Sequence, residues 1–397
     1  MKILVANLGS TSLKYRLFDF EGGGERQLAK GGFERVEDHS SAIDSCLAGL
    51  KQGGFVRSAS DVAAVGFKTI LARGVNGCVR LDESVLAAME ACYGLAPAHN
   101  PPYVQGIRSF AKKMPGTPLV ALFETSFYQW APPAALRYAV PGEWHEWGVR
   151  RWGFHGASHK YIAERSAEML GRQDVAERVR QLYVSGPGSE PAKPDLRVIS
   201  CHLGGSSSIT GILNGLAIGN SMGMSPQSGL PQNNRVGDLD SSAVPYLIRE
   251  KGMTVEQVEK ILSKESGLKG VSGGFNDVRD LQEQAARGNG QARLAMDVLI
   301  HSARHWIGSY AWQMNGLDAL VFTGGIGEND GAIRRGICAN LENFGLLLDD
   351  AANDRTRREE AVISRSDSKI KIMIIPANEE LVVAREVKRH LQAKRGK

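Results

Sequence analysis

Two short stretches of small and hydroxyl-bearing residues, each placed after an apolar run, have the chemistry to hold phosphate. Residues 7–12 read NLGSTS and follow the apolar run 3–6, while residues 202–207 read HLGGSS and follow the apolar-rich stretch 196–201. Hairpin turns of this type expose backbone N–H groups, which together with hydroxyls and a nearby ammonium can surround phosphoryl oxygens. The sequence therefore predicts one phosphate-binding hairpin used twice.

A third strand also runs into glycines. Residues 319–323 are apolar and lead into GGIGEN at 324–329, a glycine turn that is expected to precede a helix, whose N-terminus favours anions. The chain has neither a G-x-x-x-x-G-K-[ST] motif nor a strand–GxGxxG–helix unit, so a P-loop or a Rossmann dinucleotide site is not indicated. Phosphate would have to be held by the hairpins.

Two histidines four residues apart stand in the segment RWGFHGASH, residues 151–159. His155 and His159 have three alternative roles: metal ligands, a structural pair, or contacts to a phosphoryl group. Neither Glu nor Cys accompanies them, which argues against zinc. Ser158 is expected to cap a helix over 159–170.

Three charged side chains occur where burial or flexibility suggests function. Glu124 follows a buried strand, where an unpaired carboxylate is costly, so it is either paired with a cation or available to Mg²⁺. Glu379 begins a helix, where the helix dipole alone would favour it. Arg235 lies in the long loop 221–240, as a mobile phosphate clamp or as a surface ion pair.

The composition limits the class of protein. The 397 residues, of which 42% are hydrophobic and 23% charged, are typical of a soluble protein with two domains. The net charge of +5 is small, and we expect no nucleic-acid partner. Five dispersed cysteines and the lack of a membrane-length apolar run predict a cytoplasmic protein without disulfides or membrane contact.

Strands that alternate with helices predict an α/β layer architecture. The repeated hairpin indicates duplicated domains, with the two hairpins facing each other across a central cleft. We place the first lobe at residues 1–127 and the second lobe at 128–377, and the resemblance described next implies that the second lobe binds nucleotide. The C-terminal helix, residues 378–397, is expected to pack back on the first lobe.

With these motifs the sequence resembles the acetate kinases, members of the superfamily that includes actin, sugar kinases and chaperone ATPases. The matching stretches occur in family order along the whole chain, at residues 5–14, 95–102, 153–159, 201–208, 221–223, 270–273, 276–280, 322–329 and 376–381. The resemblance implies two ribonuclease-H-like domains and a homodimer. It also implies reversible phosphoryl transfer from ATP to the carboxylate of acetate, giving acetyl phosphate and ADP, with Mg²⁺ or alternatively Mn²⁺.

The resemblance assigns roles residue by residue. Asn7 matches an asparagine near metal and phosphate, Glu379 a Mg²⁺-associated glutamate, His155 the histidine that contacts the transferring phosphoryl, and Arg235 the arginine that binds carboxyl and phosphoryl. The residues matched to nucleotide phosphates are Ser10, Ser12, Lys14, His202, Leu203, Gly204, Gly205, Ser206 and Ser207. Those matched to the adenosine pocket are Asp277, Val278, Arg279, Gly325, Ile326, Gly327, Glu328 and Asn329. The acyl pocket is matched by Ile70, Ala98, Phe154 and Pro226.

The sequence departs from the family pattern at three places, of which one is the loop 227–234, QSGLPQNN, together with Gly205 where asparagine is usual. The other two concern the catalytic residues. Lys68 stands where the family has a catalytic arginine, and lysine lacks the bidentate fork. One hypothesis is that Arg73 reaches back to supply that fork beside the substrate. Glu124 replaces an aspartate, and Tyr128 replaces a histidine.

The acyl substrate and the activity itself are each open to more than one interpretation. Ala98 stands where leucine is common, which predicts room for propionate as well as acetate. A nucleotide-binding homologue with weakened catalysis is a second interpretation of the chain. A kinase of the superfamily that acts on a sugar or uses pyrophosphate is a third.

Overall fold

The structure, a computed structural model, describes residues 1–9, 11–97 and 99–395. Ser10, predicted to contact nucleotide, and Ala98, predicted to line the acyl pocket, lie outside the described residues. Gly396 and Lys397, at the end of the C-terminal segment, also lie outside them.

The strands of the described ranges form two six-stranded sheets. The first sheet contains β1 (Lys2–Gly9), β2 (Ser12–Asp19), β3 (Arg26–Glu34), β4 (Val62–Thr69), β5 (Cys78–Arg80) and β6 (Leu119–Phe123). The second contains β7 (Arg197–His202), β8 (Ser208–Leu213), β9 (Leu216–Asn220), β10 (Ala319–Thr323), β11 (Ala361–Val362) and β12 (Lys371–Ile374).

The two sheets have the same topology. The strand orders are β3-β2-β1-β4-β6-β5 and β9-β8-β7-β10-β12-β11. In each sheet the first three strands form an antiparallel meander, two parallel strands follow, and a short antiparallel strand closes the edge. The prediction of duplicated ribonuclease-H-like domains is confirmed by this correspondence.

Helices cover the sheets. They are α1 (His39–Gln52), α2 (Glu83–Glu90), α3 (Asn100–Lys113), α4 (Gly142–Glu146), α5 (Gly156–Met169), α6 (Gln173–Ser185), α7 (Ala243–Lys251), α8 (Val255–Lys264), α9 (Gly267–Ser272), α10 (Val278–Ala286), α11 (Gly290–Gln313), α12 (Gly324–Asn329), α13 (Gly331–Cys338), α14 (Asp350–Arg355) and α15 (Glu379–Arg395). Among the described residues, no helix combines the length and the apolar character that a bilayer crossing requires.

The C-terminal helix α15 packs on the first sheet. Its Val383 and Val387 are fully buried in a cluster with Ile3 and Val5 of β1. Gly66 of β4 makes this close approach possible, since a Cβ there would lie 2.9 Å from Val387. The helix also contacts α5, so it joins the first sheet to a helix that packs beneath the second. The lobe boundary near residue 127 stays a prediction.

Two local expectations were wrong. The helix expected from residue 159 begins at Gly156, and Ser158 lies inside it without capping it. The glycine turn at 324–329 is itself the short helix α12. In both places tertiary contacts with a neighbouring strand end, described below, decide the local conformation.

Candidate active site

The carboxyl ends of the parallel strands from both sheets meet at one cleft, the usual location of ligand sites in open α/β sheets. A cavity of about 420 Å³ lies there and takes residues from both lobes. Its lining residues are Lys68, His155, His202, Gly204, Gly205, Ser206, Gly324, Gly325, Glu328, Ala377, Glu379 and Glu380. A second cavity of about 710 Å³ shares Gly204, Gly205 and Gly325 with it.

Lys68 of β4 is the centre of a charged cluster. Its ammonium donates to the Glu379 carboxylate and lies 3.9 Å from Glu124 Oε1. Burial works to lower the pKa of Lys68, but Glu379 and Glu124 raise it above its ordinary range, so the side chain is a cation.

The two carboxylates of this cluster differ in their electrostatic environment. Burial, reinforced by Glu379, raises the pKa of Glu124 to about 7 even though Lys68 opposes the shift. Burial acts in the same direction on Glu379, yet Lys68 and His202 hold its pKa below the ordinary value. Within the described part of the chain, the buried Glu124 Oε1 has no hydrogen-bond donor. This oxygen is therefore available to a cation or a proton.

Asn7 of β1 adjoins this cluster through Tyr103. The Tyr103 hydroxyl donates to Asn7 Oδ1 over 2.7 Å. Burial raises the pKa of Tyr103 to about 12, while the charge of Lys68 opposes that shift. The phenol thus stays protonated and holds the Asn7 amide in one orientation.

His155 is positioned by a strained turn at the start of α5. It has a left-handed φ of 56°, and the following Gly156 N–H donates to the Glu124 carbonyl over 3.0 Å. A Cβ at Gly156 would lie 2.0 Å from that oxygen, so only glycine fits. The next residue, Ala157, is fully packed under the first sheet. This contact explains why α5 begins three residues before the expected start.

The His155 ring lies against His202 at the end of β7. Their ring centroids are 4.2 Å apart. Burial, with His202 and His159 next, holds the pKa of His155 well below its ordinary value. Burial likewise lowers the pKa of His202. Both rings are therefore neutral at pH 7.

Serine hydroxyls bond the buried sides of these rings. His155 Nδ1 and His159 Nε2 both lie 2.8 Å from Ser208 Oγ. His159 Nδ1 lies 2.8 Å from Ser200 Oγ, and Ser158 Oγ lies 2.9 Å from His202 Nδ1. Since His159 is fully buried with both nitrogens engaged, its structural role is the alternative that the geometry supports.

Arg235 reaches the cleft from the long loop. Its Nη1 lies 3.5 Å from Ser206 Oγ and 3.3 Å from Gln232 Oε1. Gly267, at a left-handed φ of 63°, lets this loop pack closely, because a Cβ there would lie 2.0 Å from the Gln232 carbonyl. Burial lowers the pKa of Arg235. The positive charge of Arg235 also contributes to the lowered pKa of His155.

Hydrogen bonds within the turn between β7 and β8 hold its shape. The Ser207 hydroxyl bonds Gly204 within the turn, whereas Gly205 and Ser206 at the tip line the cleft. The Leu203 carbonyl accepts from the Ile326 and Gly327 N–H groups of α12. These two hydrogen bonds stabilise the helical conformation of residues 324–329.

Glu328 joins the end of β10 to the segment before α15. One carboxylate oxygen accepts from the backbone N–H groups of Gly324, at 3.0 Å, and Ala377, at 2.9 Å. Glu328, which was predicted from sequence to contact nucleotide, therefore orders the backbone at the edge of the cleft.

The larger cavity is lined by most of the residues predicted from sequence for an adenosine pocket. Among its lining residues are Asp277, Val278, Arg279, Gly325, Ile326 and Asn329, all predicted from sequence. The sequence analysis missed its remaining polar lining, which is Asn233, Gln282, Asp330, Arg335, Asp354, Arg357 and Arg358. The last three come from the end of α14 and the segment after it, far along the chain, and have no local motif.

Two of the residues predicted to line the acyl pocket, Phe154 and Ile70, lie in one apolar cluster. Phe154 is buried in an apolar cluster with Leu71 and Met222, and Ile70 packs against it. Pro226 is half-buried in the long loop, where its carbonyl accepts from the Gln232 amide over 2.5 Å.

Three other predicted residues lie away from the two cavities. Lys14 forms an exposed ion pair with Glu34 at 3.3 Å. Arg73 has an exposed side chain on the turn after β4. Ser12 closes the first hairpin opposite Gly9.

Tyr128 anchors the loop that carries His155. Its hydroxyl donates to the Phe154 carbonyl over 2.5 Å and accepts from Asn220 Nδ2 over 2.9 Å. Tyr128 therefore positions the backbone of Phe154, the residue before His155, through hydrogen bonds.

The donor set of the cluster suits a hard divalent cation. Mg²⁺ sites in nucleotide enzymes use one or two carboxylates and leave the other positions to water and phosphate oxygens. Glu379, the Glu124 Oε1 that accepts no hydrogen bond from the described residues, and the Asn7 amide supply oxygen ligands of this kind. The residues present therefore fit Mg²⁺.

Two sheets of the same topology, whose parallel strands end at one shared cleft, define a two-lobed, actin-like ATPase fold. The sequence profile of the Acetokinase family matches residues 23–385. The chain belongs to the acetokinase family.

Individual relatives agree with this assignment. The acetate kinase of Carboxydothermus hydrogenoformans is 40% identical over 97% of this chain and 98% of its own. The crystal structure of Porphyromonas gingivalis acetate kinase superposes with a TM-score of 0.88 at 33% identity, covering 98% of this chain and 99% of that one. The crystal structure of a propionate kinase from Francisella tularensis superposes with a TM-score of 0.84 at 32% identity, covering 97% of this chain and 98% of that one.

Proposed function

We propose that this chain is an acetate kinase, which transfers the γ-phosphoryl group of ATP to acetate and runs in both directions. The observation that carries this proposal is the convergence of Lys68, His155 and the Arg235–Ser206 contact on one inter-lobe cleft. Full-length membership of the acetokinase family supports the reaction class.

The transfer proceeds in line. A carboxylate oxygen of acetate forms a bond to the γ-phosphorus while the bond from that phosphorus to the bridging oxygen of ADP breaks. Acetate is already anionic at pH 7, so the step needs no general base. The charge that spreads over the equatorial oxygens is stabilised by Lys68, His155 and Arg235.

The nucleotide spans both cavities. Its phosphates lie on the tip of the β7–β8 turn, at Gly205 and Ser206, and its adenosine occupies the larger cavity between Asp277 and Asn329. Glu379 and Asn7 would hold Mg²⁺, or alternatively Mn²⁺, with Glu124 as a further oxygen ligand. The metal neutralises phosphate charge when it is bound.

The acyl group enters the apolar cluster at Phe154 and Ile70. An apolar wall discriminates by about 1–3 kcal/mol per methylene, which limits selectivity among short acids. Acetate is the preferred acceptor, and propionate is the second candidate because of the Francisella tularensis neighbour and the small Ala98 in the sequence. The ratio of kcat/KM for acetate, propionate and butyrate tests this preference, and a flat series would contradict it.

We also propose a cytoplasmic homodimer that binds neither nucleic acid nor membranes. The family resemblance supports the dimer, and the net charge of +5 supports the lack of nucleic-acid binding. Light scattering at micromolar concentration tests the dimer, and a monomer mass would contradict it.

The reaction is tested by trapping acyl phosphate with hydroxylamine in the presence of ATP, Mg²⁺ and acetate. We expect hydroxamate to accumulate with acetate and to depend on ATP. Hydroxamate absent with acetate but product formed with a sugar, or with pyrophosphate as donor, would contradict the proposal. No product with any pair would support a weakened nucleotide-binding homologue.

A further inference from the structure

A chain of buried hydrogen bonds runs from the interior of the second lobe to His155. We call Ser200, His159 and Ser208 the serine–histidine chain. Its contacts are 2.8 Å from Ser200 Oγ to His159 Nδ1, 2.8 Å from His159 Nε2 to Ser208 Oγ, and 2.8 Å from Ser208 Oγ to His155 Nδ1. All three residues of the chain are fully buried, so every proton in it needs an internal acceptor.

The protons of this chain can be placed in only one way that gives every buried donor an acceptor. A serine hydroxyl has one proton to donate, and a neutral imidazole has one N–H and one acceptor nitrogen. Among the described residues, the Ser200 hydroxyl has one partner, His159 Nδ1. If His159 carried its proton on Nδ1, the buried Ser200 O–H would have no acceptor, at a cost of about 1–3 kcal/mol.

The satisfied arrangement then follows step by step. Ser200 donates to His159 Nδ1, His159 donates from Nε2 to Ser208, and Ser208 donates to His155 Nδ1. Burial keeps the pKa of His159 well below its ordinary value, so the ring is neutral as this count requires. The proton of His155 is left on Nε2, the ring nitrogen that remains for the cleft lined by this residue.

We propose that the serine–histidine chain holds His155 as the neutral tautomer with its proton on Nε2, so that the ring donates to the transferred phosphoryl group. The inference rests on the proposed function. Phosphoryl oxygens only accept hydrogen bonds, so the opposite tautomer would point a lone pair at them and repel them. Ser200, His159 and Ser208 are positioning residues in this account.

A single buried hydrogen bond has the same effect on His202. The hydroxyl of Ser158, which is 1% exposed, has one partner in the described ranges, His202 Nδ1. Donation from this serine leaves the His202 proton on Nε2. The two stacked rings therefore both present N–H donors to the cleft without adding charge.

The first readout is the tautomer itself. In the full-length protein labelled with ¹⁵N-histidine, we expect the His155 signal, assigned by its loss in His155→Asn, to show a protonated Nε2 and an unprotonated Nδ1. In Ser200→Ala the hydroxyl that fixes the direction of the chain is gone, so we expect a larger share of Nδ1-protonated His155 than in the wild type. A protonated Nδ1 in the wild type would overturn the inference.

The second readout is kinetic. We expect Ser200→Ala to lower kcat about tenfold while KM for ATP and acetate stay within about twofold, because a transition-state donor is lost part of the time. Ser200→Thr, which keeps the hydroxyl, should restore kcat. The matched control is Ser166→Ala, which removes another buried hydroxyl of α5 that bonds the Ile162 carbonyl over 2.6 Å, outside the chain.

The two readouts separate this inference from the proposed function. A protonated Nε2 in a protein without kinase activity would contradict the proposed function and leave the tautomer assignment standing. Kinase activity that is equal in Ser200→Ala and wild type would overturn the inference while the function stands.

Discussion

Lys68 supplies the positive charge that the first sheet brings to the cleft. Its ammonium contacts Glu379 and lies 3.9 Å from Glu124 Oε1. The sequence resemblance implies an arginine at position 68 and an aspartate at position 124. If so, the cation here has a shorter side chain, and the carboxylate of Glu124 has a side chain one methylene longer. The charge at this position is retained, although the bidentate geometry of arginine is not.

We expect Lys68→Met to lower kcat by at least about 100-fold, since one fixed transition-state donor is worth that factor or more. Steady-state kinetics in the acetyl phosphate direction measures the change. Arg73→Ala is the matched control, because Arg73 is exposed on the following turn, and it should stay within about twofold of wild type. An equal loss in Arg73→Ala would instead support the hypothesis that Arg73 reaches the site.

The buried histidines predict a loss of stability in acid. His159 is neutral in the native state because burial depresses its pKa, whereas in the unfolded chain it takes up a proton below about pH 6.5. The stability that it contributes is therefore complete above pH 6.5 and is lost as pH falls towards the native pKa, at up to about 1.4 kcal/mol per pH unit.

Chemical denaturation at pH 7.5, 6.5 and 5.5 measures this slope. We expect His159→Gln to make the decline between pH 6.5 and 5.5 shallower by about 1 kcal/mol than in the wild type. His301→Gln, at an exposed histidine, is the control. An identical decline in wild type and His159→Gln would contradict the prediction.

Helices α5 and α15 bring His155 and Glu379 together at the cleft. The first begins directly after His155, and the second begins at Glu379. A fully buried ion pair joins them, with Lys160 Nζ 2.7 Å from Glu386 Oε1. The spacing of the two helices thus fixes the spacing of two groups that are 224 residues apart in sequence (379 − 155).

We expect Glu386→Gln to destabilise the protein by about 3–5 kcal/mol, because it leaves the buried Lys160 without its carboxylate. The double variant Lys160→Met, Glu386→Met should recover most of that loss. The free energy of unfolding in urea measures both. Glu283→Gln, in an exposed i,i+4 pair with Arg287, is the control and should cost no more than about 0.5 kcal/mol.

Gly156 sets the start of α5. Because a Cβ there would lie 2.0 Å from the Glu124 carbonyl, we expect Gly156→Ala to displace His155 and lower kcat by more than about tenfold. Gly308→Ala, at an open and exposed position of α11, is the matched control and should raise helix stability by up to about 1 kcal/mol. Equal kcat in the two variants would contradict the role of Gly156.

Local motifs predicted the elements better than they predicted the site. NLGSTS and HLGGSS, each after an apolar run, are sufficient for the two hairpins and for the duplicated fold, since hairpin formation depends on neighbouring residues. The start of α5 depends on a contact with Glu124, and the serine–histidine chain joins residues 41 and 49 positions apart. Such contacts have no local pattern, so the sequence alone did not indicate them.

The whole molecule is two copies of one topology with different tasks. The second copy supplies the β7–β8 turn and most of the larger cavity, and the first supplies Lys68, Asn7 and Glu124. Residues from both copies line the smaller cavity, so the complete set of charges exists only where the lobes meet. Closure of the lobes over nucleotide would exclude water from the transfer.

Transfer between ADP and acetyl phosphate, followed by ³¹P NMR in the wild type and in His155→Ala, tests the shared cleft most directly. We predict that the wild type forms ATP and that His155→Ala, shown to be folded by its unfolding curve, forms it at least about 100-fold more slowly. ATP formation at the wild-type rate in His155→Ala would contradict the account.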